Sequence, residues 1–421
     1  MDKLSAITYL SERDFGMTDA SKKAGGPLAG LRVIDAGTMI AGPLGATQLA
    51  DFGADVIKVE LPEIGDSMRH WSPMRDKKSL WWKVIGRNKK LITLNLSKPE
   101  GQEIFKRLIK NADILIENYR PGTFEKWGLG YDTLSKINPK LVMVRVSGFG
   151  QTGPYSHRGG YGTVAEAFSG IPSFTGFPDG PPTFPAFPLG DTVAATFSAM
   201  AAMFAIYHRD QGSSGRGQEI DVSLYEPIFR LAEAQVIGFD QLGIVKQRQG
   251  NRLAEDAPRN AYKTRDDRWI GISASSQKTF ERLAETIGRP DMITDPRCAS
   301  NVARCENVDY LDDIIAKWFL EHDAKDIMQI FDKANVVGGL VYDIRDIVND
   351  PHYAARGNII SVPDTDFGSV RMQGAVPHFS ETPGEVKFSG GSMGSHNDEI
   401  FVHELGFSEK DIVELKKKNV I

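Results

Sequence analysis

The stretch Leu31 to Glu60, LRVIDAGTMIAGPLGATQLADFGADVIKVE, decides the fold. Leu31-Arg32-Val33-Ile34-Asp35 has the makeup of a strand, Ala36 to Pro43 carries the glycines of a loop, and the chain to Phe52 has helical character. Val56-Ile57-Lys58-Val59-Glu60 is a second strand. Pro43 suits the first turn of the helix and Gly53 its end, so the stretch is one β-α-β unit. An acid closing the second strand invites a dinucleotide-binding reading. The glycines fall at Gly37, Gly42 and Gly45, however, and do not make GxGxxG, so that reading loses its phosphate cradle.

Outward from this unit the alternation continues. Leu91 to Leu94 reads as a strand, Ser97-Lys98-Pro99-Glu100 as a capping box, Ile104, Phe105, Leu108 and Ile109 as the apolar face of a helix, and Ile114 to Ile116 as the next strand. Leu141 to Val146 is another. Strands alternating with helices predict an α/β fold with a Rossmann-like, doubly wound parallel sheet. From about residue 227 the character shifts to a polar connector, a strand at Trp269 to Ile272 and helices such as that bearing Phe280, Leu283, Ala284 and Ile287. The expected organisation is an N-terminal extension (1–26), a large domain (27–226), a smaller α+β domain with linkers (227–345) and a C-terminal segment returning to the large domain (346–421).

With 421 residues the chain exceeds the ~250–300 residues at which one core stops growing, which agrees with two domains. A net charge of −5 argues against general binding to nucleic acid or a membrane surface. Cys298 and Cys305 have no ligand spacing around them and read as free thiols of a cytoplasmic protein. The charged N-terminus lacks an apolar signal core. The eight histidines do not pair with carboxylates at metal spacing and no GxSxG elbow is present, so no metal site is assigned and serine hydrolysis is unsupported.

Phe187-Pro188-Leu189-Gly190-Asp191-Thr192-Val193 places one acid at a glycine turn before Thr192 to His208, a segment without Asp, Glu, Lys or Arg. Such a segment is a buried helix, slightly short for a membrane span of ~20 residues. Asp191 is then either a helix N-cap or a catalytic carboxylate beside the unpaired N–H groups of a first turn. Arg75 to Lys90 holds seven positive residues against one Asp, interleaved with Trp81 and Trp82, and reads equally as a polyphosphate and purine site or as a solvated surface. Arg69 is a similar candidate. Glu117 to Gly122 leaves the C-terminal end of a strand, where open α/β sheets bind ligands.

Taken in order, PLAGLRVIDAGTMIAGPLGATQLADFGADVIKVE, GDSMR, RNKKLITLNL, ENYRPGTFEKWGLGYDTL, VSGFGQTGPY, PLGD, GRGQEIDVSLYE and NDPHYAARGNI resemble the class III coenzyme A transferases, the family of formyl-CoA and carnitine CoA-transferases. The resemblance runs from Pro27 to the C-terminus. It implies that Asp191 is the nucleophile, attacking an acyl-CoA to give a mixed anhydride and then an aspartyl-CoA thioester from which an acceptor carboxylate takes the CoA. A carboxylate is ionised at neutral pH and needs no partner base, which accounts for the missing triad. By the same resemblance CoA is bound by Ile40, Ala41, Leu94, Asn95, Leu96, Ser97, Asn118, Tyr119, Arg120, Lys126, Arg158, Gly159, Gly160 and Tyr161, with CoA and acyl-CoA as substrates and no other cofactor.

Formyl-CoA transferase has an Arg where Leu61 stands and a Lys near Gly159, so phosphate contacts are expected to move to Arg69, Arg75 or Lys89. It also has a Glu where this chain has Gly162, and its glycine-rich loop has no counterpart before Trp269, which speaks against small oxalate-like substrates. The related α-methylacyl-CoA racemases, the alternative activity, carry a histidine where Tyr161 stands. Racemisation needs two bases, and a tyrosine with a pKa near 10 is a poor second one. A third reading is a non-catalytic subunit of a heteromeric transferase. The family implies an interlocked homodimer, or a heteromer with a related subunit. Phe149, Phe168, Phe174, Phe177 and Phe184 crowd the segments around Tyr161 and Asp191 and favour an aromatic or dicarboxylic acceptor such as benzylsuccinate, with succinyl-CoA as donor.

Overall fold

The computed structural model describes residues 25–421, so most of the expected N-terminal extension lies outside the described residues. The strands, in chain order, are β1 (Arg32–Asp35), β2 (Asp55–Glu60), β3 (Met74–Arg75), β4 (Lys78–Ser79), β5 (Lys89–Thr93), β6 (Ile114–Glu117), β7 (Val142–Ser147), β8 (Glu219–Ser223), β9 (Arg259–Lys263), β10 (Trp269–Ser273), β11 (Gly338–Leu340), β12 (Ile359–Asp364) and β13 (Gly368–Gln373). Six form one parallel sheet in the order β5-β2-β1-β6-β7-β8. The order reverses between β1 and β6, and a crevice opens there at the carboxyl ends of the strands.

The strands β2, β6 and β7 are buried on both faces, as parallel strands covered by helices must be, while the edge strand β8 leaves Glu219 and Asp221 exposed. Ile34, Ile57, Ile92, Leu115 and Met143 point to one side and pack with Ile104, Phe105 and Leu108 of the helix Pro99–Ile109. The same core takes in Ile400, Phe401, Ile412, Val420 and Ile421. Val33, Val56, Ile116, Val144 and Val146 point to the other side, against the helices Ala41–Asp51 and Leu189–Gln211. These two helices approach closely because the facing residues are small: a Cβ on Gly45 would come 3.1 Å from the Ala195 carbonyl oxygen.

Residues Arg259 to Leu340 build a second core around the three antiparallel strands β11-β10-β9, with Phe280, Leu283, Ile315, Phe319 and Phe331 at its centre. The fold is therefore α/β with a smaller α+β unit.

Three expectations change on the structure. The capping box at Ser97 does not form: Lys98 is the N-cap and makes no side-chain cap bond, while the Ser97 hydroxyl donates to Asn95 Oδ1 at 2.7 Å. The apolar helix begins three residues earlier than Thr192, runs Leu189–Gln211 and is not buried all round: Gly190, Ala194, Ala195, Ser198 and Ala202 lie inside the protein, whereas Met200, Phe204 and Tyr207 are exposed; its 23 residues are long and apolar enough to cross a membrane by length and composition.

The basic run divides in two: Arg75, Lys77 and Lys78 are exposed, as a solvated face requires, while the cations from Lys83 onward are taken up by carboxylates and form no open phosphate site. Lys83 pairs with Asp364 and Asp366, Arg87 with Asp51, Lys89 with Asp35, and Lys90 with Asp55 and Glu399. Several of these cations tie the C-terminal segment onto the sheet.

Asp35 receives both Lys58 and Lys89, and all three are fully buried. Asp35→Ala would leave two ammonium groups in the core without their shared anion, and we expect chemical denaturation to show a loss of about 3–5 kcal/mol. Asp55→Ala removes a half-exposed partner of Arg32 and Lys90 and should cost under about 1 kcal/mol.

Candidate active site

The crevice at the switch between β1 and β6 is a cleft of about 890 Å³. Its first wall is the loop after β1, with Thr38, Met39, Ile40 and Ala41. Asn118, one residue past β6, holds that loop in both directions. Its Oδ1 accepts from Thr38 N–H at 2.7 Å and its Nδ2 donates to the Thr38 carbonyl at 2.8 Å. Gly37 makes the approach possible, since a Cβ there would lie 3.2 Å from Asn118 Oδ1 and 2.9 Å from Pro43 Cδ. Met39 sits at a φ of 62°, and its N–H is fixed by Asp66 Oδ1 at 3.0 Å. The loop delivers the start of the helix Ala41–Asp51 to the cleft, where first-turn N–H groups favour an anion.

The second wall comes from the segments after β6 and β7. Tyr119 packs against Phe124 and Trp127, and burial pushes its phenol up from the usual value. Arg120 reaches toward Gly159, where a Cβ would lie 3.2 Å from its Nη2. Arg158 stacks on Tyr155 at 3.8 Å from the ring centroid. Both arginines line the cleft, and among the described residues neither is paired with a carboxylate. Gly159, Gly160 and an exposed Tyr161 complete this wall.

Asp191 also lines the cleft. The helix starts at Leu189 with Pro188 as its N-cap, so Asp191 stands in the first turn and is not a cap. Gly162 makes room for it: a Cβ there would collide with Asp191 Oδ2. Burial, together with the negative charge of Glu166, raises the Asp191 carboxyl to about 6. It is nevertheless largely ionised at pH 7. Asp191 thus combines an available charge with a basicity above that of an ordinary carboxylate.

The remaining candidates lie elsewhere. Leu94 and Leu96 are buried in the sheet core, Asn95 accepts from Ser97 N–H, and Lys126 is exposed outside the cleft lining. Arg69 makes a two-pronged pair with Glu60 at 2.6 and 2.7 Å and stacks on Trp82, so its charge is committed within the fold. Lys89 is fully buried on Asp35 and cannot meet a phosphate; Arg75 is exposed over Phe367. Of the five phenylalanines, Phe184 lines the cleft, while Phe149 and Phe168 pack with Tyr155 and Tyr225. Glu166 was not singled out in the sequence, although it is the one charged residue in GTVAEAFS. Ser67, Trp71 and Phe187 also line the cleft.

Residues 28–397 match the family described as CoA-transferase family III. The chain is a family III CoA-transferase. It is 45% identical over 403 residues to the succinyl-CoA–D-citramalate CoA-transferase of Chloroflexus aurantiacus, covering 96% of this chain and all of that one. It is 39% identical to the succinyl-CoA–L-malate CoA-transferase beta subunit of the same organism, covering 94% of this chain and 98% of the relative. A CaiB/BaiF family protein from Brucella suis has the same fold, with a TM-score of 0.80 and 29% identity over 90% of this chain and 99% of that one.

Gly162 does not lie at positive φ, so alanine is compatible with its backbone. Gly162→Ala is expected to fold normally but displace Asp191, lowering steady-state CoA transfer by roughly 100-fold, the order of effect of a 1 Å misplacement.

Proposed function

We propose that this enzyme moves CoA from succinyl-CoA to a short hydroxydicarboxylic acid of the malate and citramalate class, through an aspartyl-CoA thioester on Asp191. The observation that carries the reading is Asp191 itself: a partly buried carboxylate on the wall of a cleft of about 890 Å³, with no cation paired to it among the described residues. CoA and its esters are the substrates, and no further cofactor enters the scheme.

Asp191 Oδ attacks the succinyl thioester carbonyl, the carbon–sulfur bond breaks, and CoA thiolate leaves. The thiolate then attacks the Asp191 carbonyl of the mixed anhydride, releasing succinate and leaving CoA on the enzyme. The acceptor carboxylate repeats the exchange in reverse. The N–H groups of the first turn at Leu189 to Asp191 are suited to the oxyanions formed on the way, and Arg120 and Arg158 to the phosphates of CoA.

The choice of acceptor rests on the relatives named above, which act on succinyl-CoA with D-citramalate or L-malate. Of the five phenylalanines that favoured a benzylsuccinate-like acid, Phe184 alone lines the cleft, so their density in the sequence does not by itself describe the acceptor site.

The working unit is a homodimer, or a heteromer with a related subunit. The helix Gln235–Leu242 buries no residue within the chain, and Val236, Ile237, Phe239, Leu242 and Val245 are exposed beside it. A helix this short is not stable by itself in water, and an apolar surface of this extent suits a partner chain. The free thiols of Cys298 and Cys305 fit the cytoplasm.

With succinyl-CoA as donor, mass-spectrometric screening of carboxylic acids should show malate or citramalate turned over faster than benzylsuccinate, formate or oxalate. Preference for benzylsuccinate would reverse the acceptor assignment while leaving the transferase intact.

Asp191→Asn should lower transfer by roughly three orders of magnitude or more with CoA-ester binding retained. Its stability effect has a defined sign. The folded carboxyl titrates near 6 against 3.8 unperturbed, so the ionised group disfavours folding as pH rises through about 6 and has no such effect where both states are protonated. The variant should therefore melt higher than the wild type at pH 8, with the gap closing toward pH 4.

A further inference from the structure

Glu166 is buried, lines the cleft with Asp191, and accepts a hydrogen bond on Oε1 from Gly190 N–H at 3.0 Å. Gly190 immediately precedes Asp191. A Cβ on Gly190 would lie 3.1 Å from the Gly162 carbonyl oxygen, so Glu166 clamps the long helix onto the helix Gly162–Ser169 where the two backbones nearly touch. The clamp fixes the carboxylate beside the acid that the chemistry uses.

The other charged groups around Asp191 are occupied or distant. On β7 and β8, Arg145 is committed to Glu117, Glu125 and Glu219, and Asp221 accepts from Gln151 N–H. On the helix Glu226–Leu231, which packs on the long helix, Glu226 accepts from the Ser223 hydroxyl at 2.8 Å. On the helix Ala41–Asp51, Asp51 is paired with Arg87. On the long helix itself, Arg209 is bound by Asp113 and Asp210. Tyr119, Arg120, Arg158 and Tyr161 share the cleft wall. Of all these groups, Glu166 is the one whose charge bears on Asp191.

We infer that Glu166 is a positioning residue that favours the covalent state of Asp191, because its fixed negative charge repels the Asp191 carboxylate only while that carboxylate is free. The inference rests on Asp191 being the nucleophile. When the Asp191 oxygen bonds to the acyl carbon and CoA thiolate departs, the negative charge leaves with the sulfur. When the thiolate then displaces succinate, Asp191 is a neutral thioester. At either stage Glu166 faces a neutral group, so the repulsion present in the free enzyme is relieved on acylation. No proton or electron is required from outside. The same charge makes the free carboxylate more basic, and a more basic carboxylate is the better nucleophile as long as it remains ionised.

Glu166→Gln keeps an oxygen that accepts from Gly190 N–H and removes only the charge. With succinyl-CoA alone, intact-mass measurement should show a several-fold smaller fraction of covalently modified enzyme than in the wild type. The acid limb of kcat/KM should move from near pH 6 toward the ordinary carboxylate range by half a pH unit or more. An unchanged covalent fraction and an unchanged acid limb would overturn the inference.

If Glu166→Gln fails to fold, Glu166→Ala, which removes the charge, and Glu166→Asp, which keeps it, give the second test. The covalent fraction should fall in the first and be retained in the second, and equal fractions in the two would refute the inference. Failure of the Asp191 reading is distinguishable, because wild type would then show no succinyl-CoA-dependent adduct on Asp191 at all.

Discussion

The site depends on a cluster of buried charges beneath the first loop. Lys58, fully buried in the middle of β2, donates to the Gly37 carbonyl and pairs with Asp66 Oδ2 at 2.9 Å; Asp35 at the end of β1 lies 3.8 Å away and pairs at 2.8 Å with Lys89. Lys89 also donates to the Pro43 carbonyl at 2.7 Å. Two cations and two anions thus grip both ends of the loop that carries Thr38 to Ala41. Burial alone would raise the Asp66 carboxyl, but Lys58 and the N–H groups of Met68 and Met39 outweigh it and hold the acid below its usual range. Such a cluster contributes little net stability compared with an apolar core, because desolvation offsets most of the attraction. What it does supply is a single loop geometry, since moving either end, at Gly37 or at Pro43, would strand a charge.

The cleft applies the opposite rule. Where the scaffold pairs Lys58, Lys83, Arg87 and Lys89 with carboxylates, Asp191 faces another anion and, among the described residues, no cation. The contrast separates the two uses of buried carboxylates in this chain. Glu117 shows an intermediate case: burial pushes it up to about 7 even though Arg145 Nε lies 2.8 Å away, and its Oε2 is spent on Tyr119 N–H, where it shapes the wall of the cleft.

Strand periodicity made the parallel sheet legible, and so did the helix punctuation by Pro43 and Gly53. Short local patterns were less dependable. Ser97 sits at the right distance from Glu100 for a capping box, but Asn95 captures its hydroxyl first. The basic run from Arg75 to Lys90 could not be read from composition, because its carboxylate partners Asp364, Asp366 and Glu399 lie some three hundred residues downstream. Asp191 was visible as an acid at a glycine turn, whereas its role as a first-turn residue followed from three extra helical residues. Glu166 was overlooked because one acid in an apolar helix looks like a solvent-facing position until the neighbouring helix is in place.

This last miss has a physical root. The charge of a residue is written in the sequence, but whether it is answered depends on what tertiary packing brings against it. For Lys58, Lys89 and Arg69 packing brings an anion, and the charge becomes structure. For Asp191 it brings Glu166 and two glycines, Gly162 and Gly190, which have no side chain with which to screen the pair. The glycines are as necessary as the acids, because any larger residue at Gly162 would occupy the space of the Asp191 oxygen. A carboxylate kept partly desolvated beside a like charge lowers its free energy by bonding to an electrophile. On the function proposed above that electrophile is a thioester carbonyl, and among the described residues no cation is paired with Asp191 to compete for it.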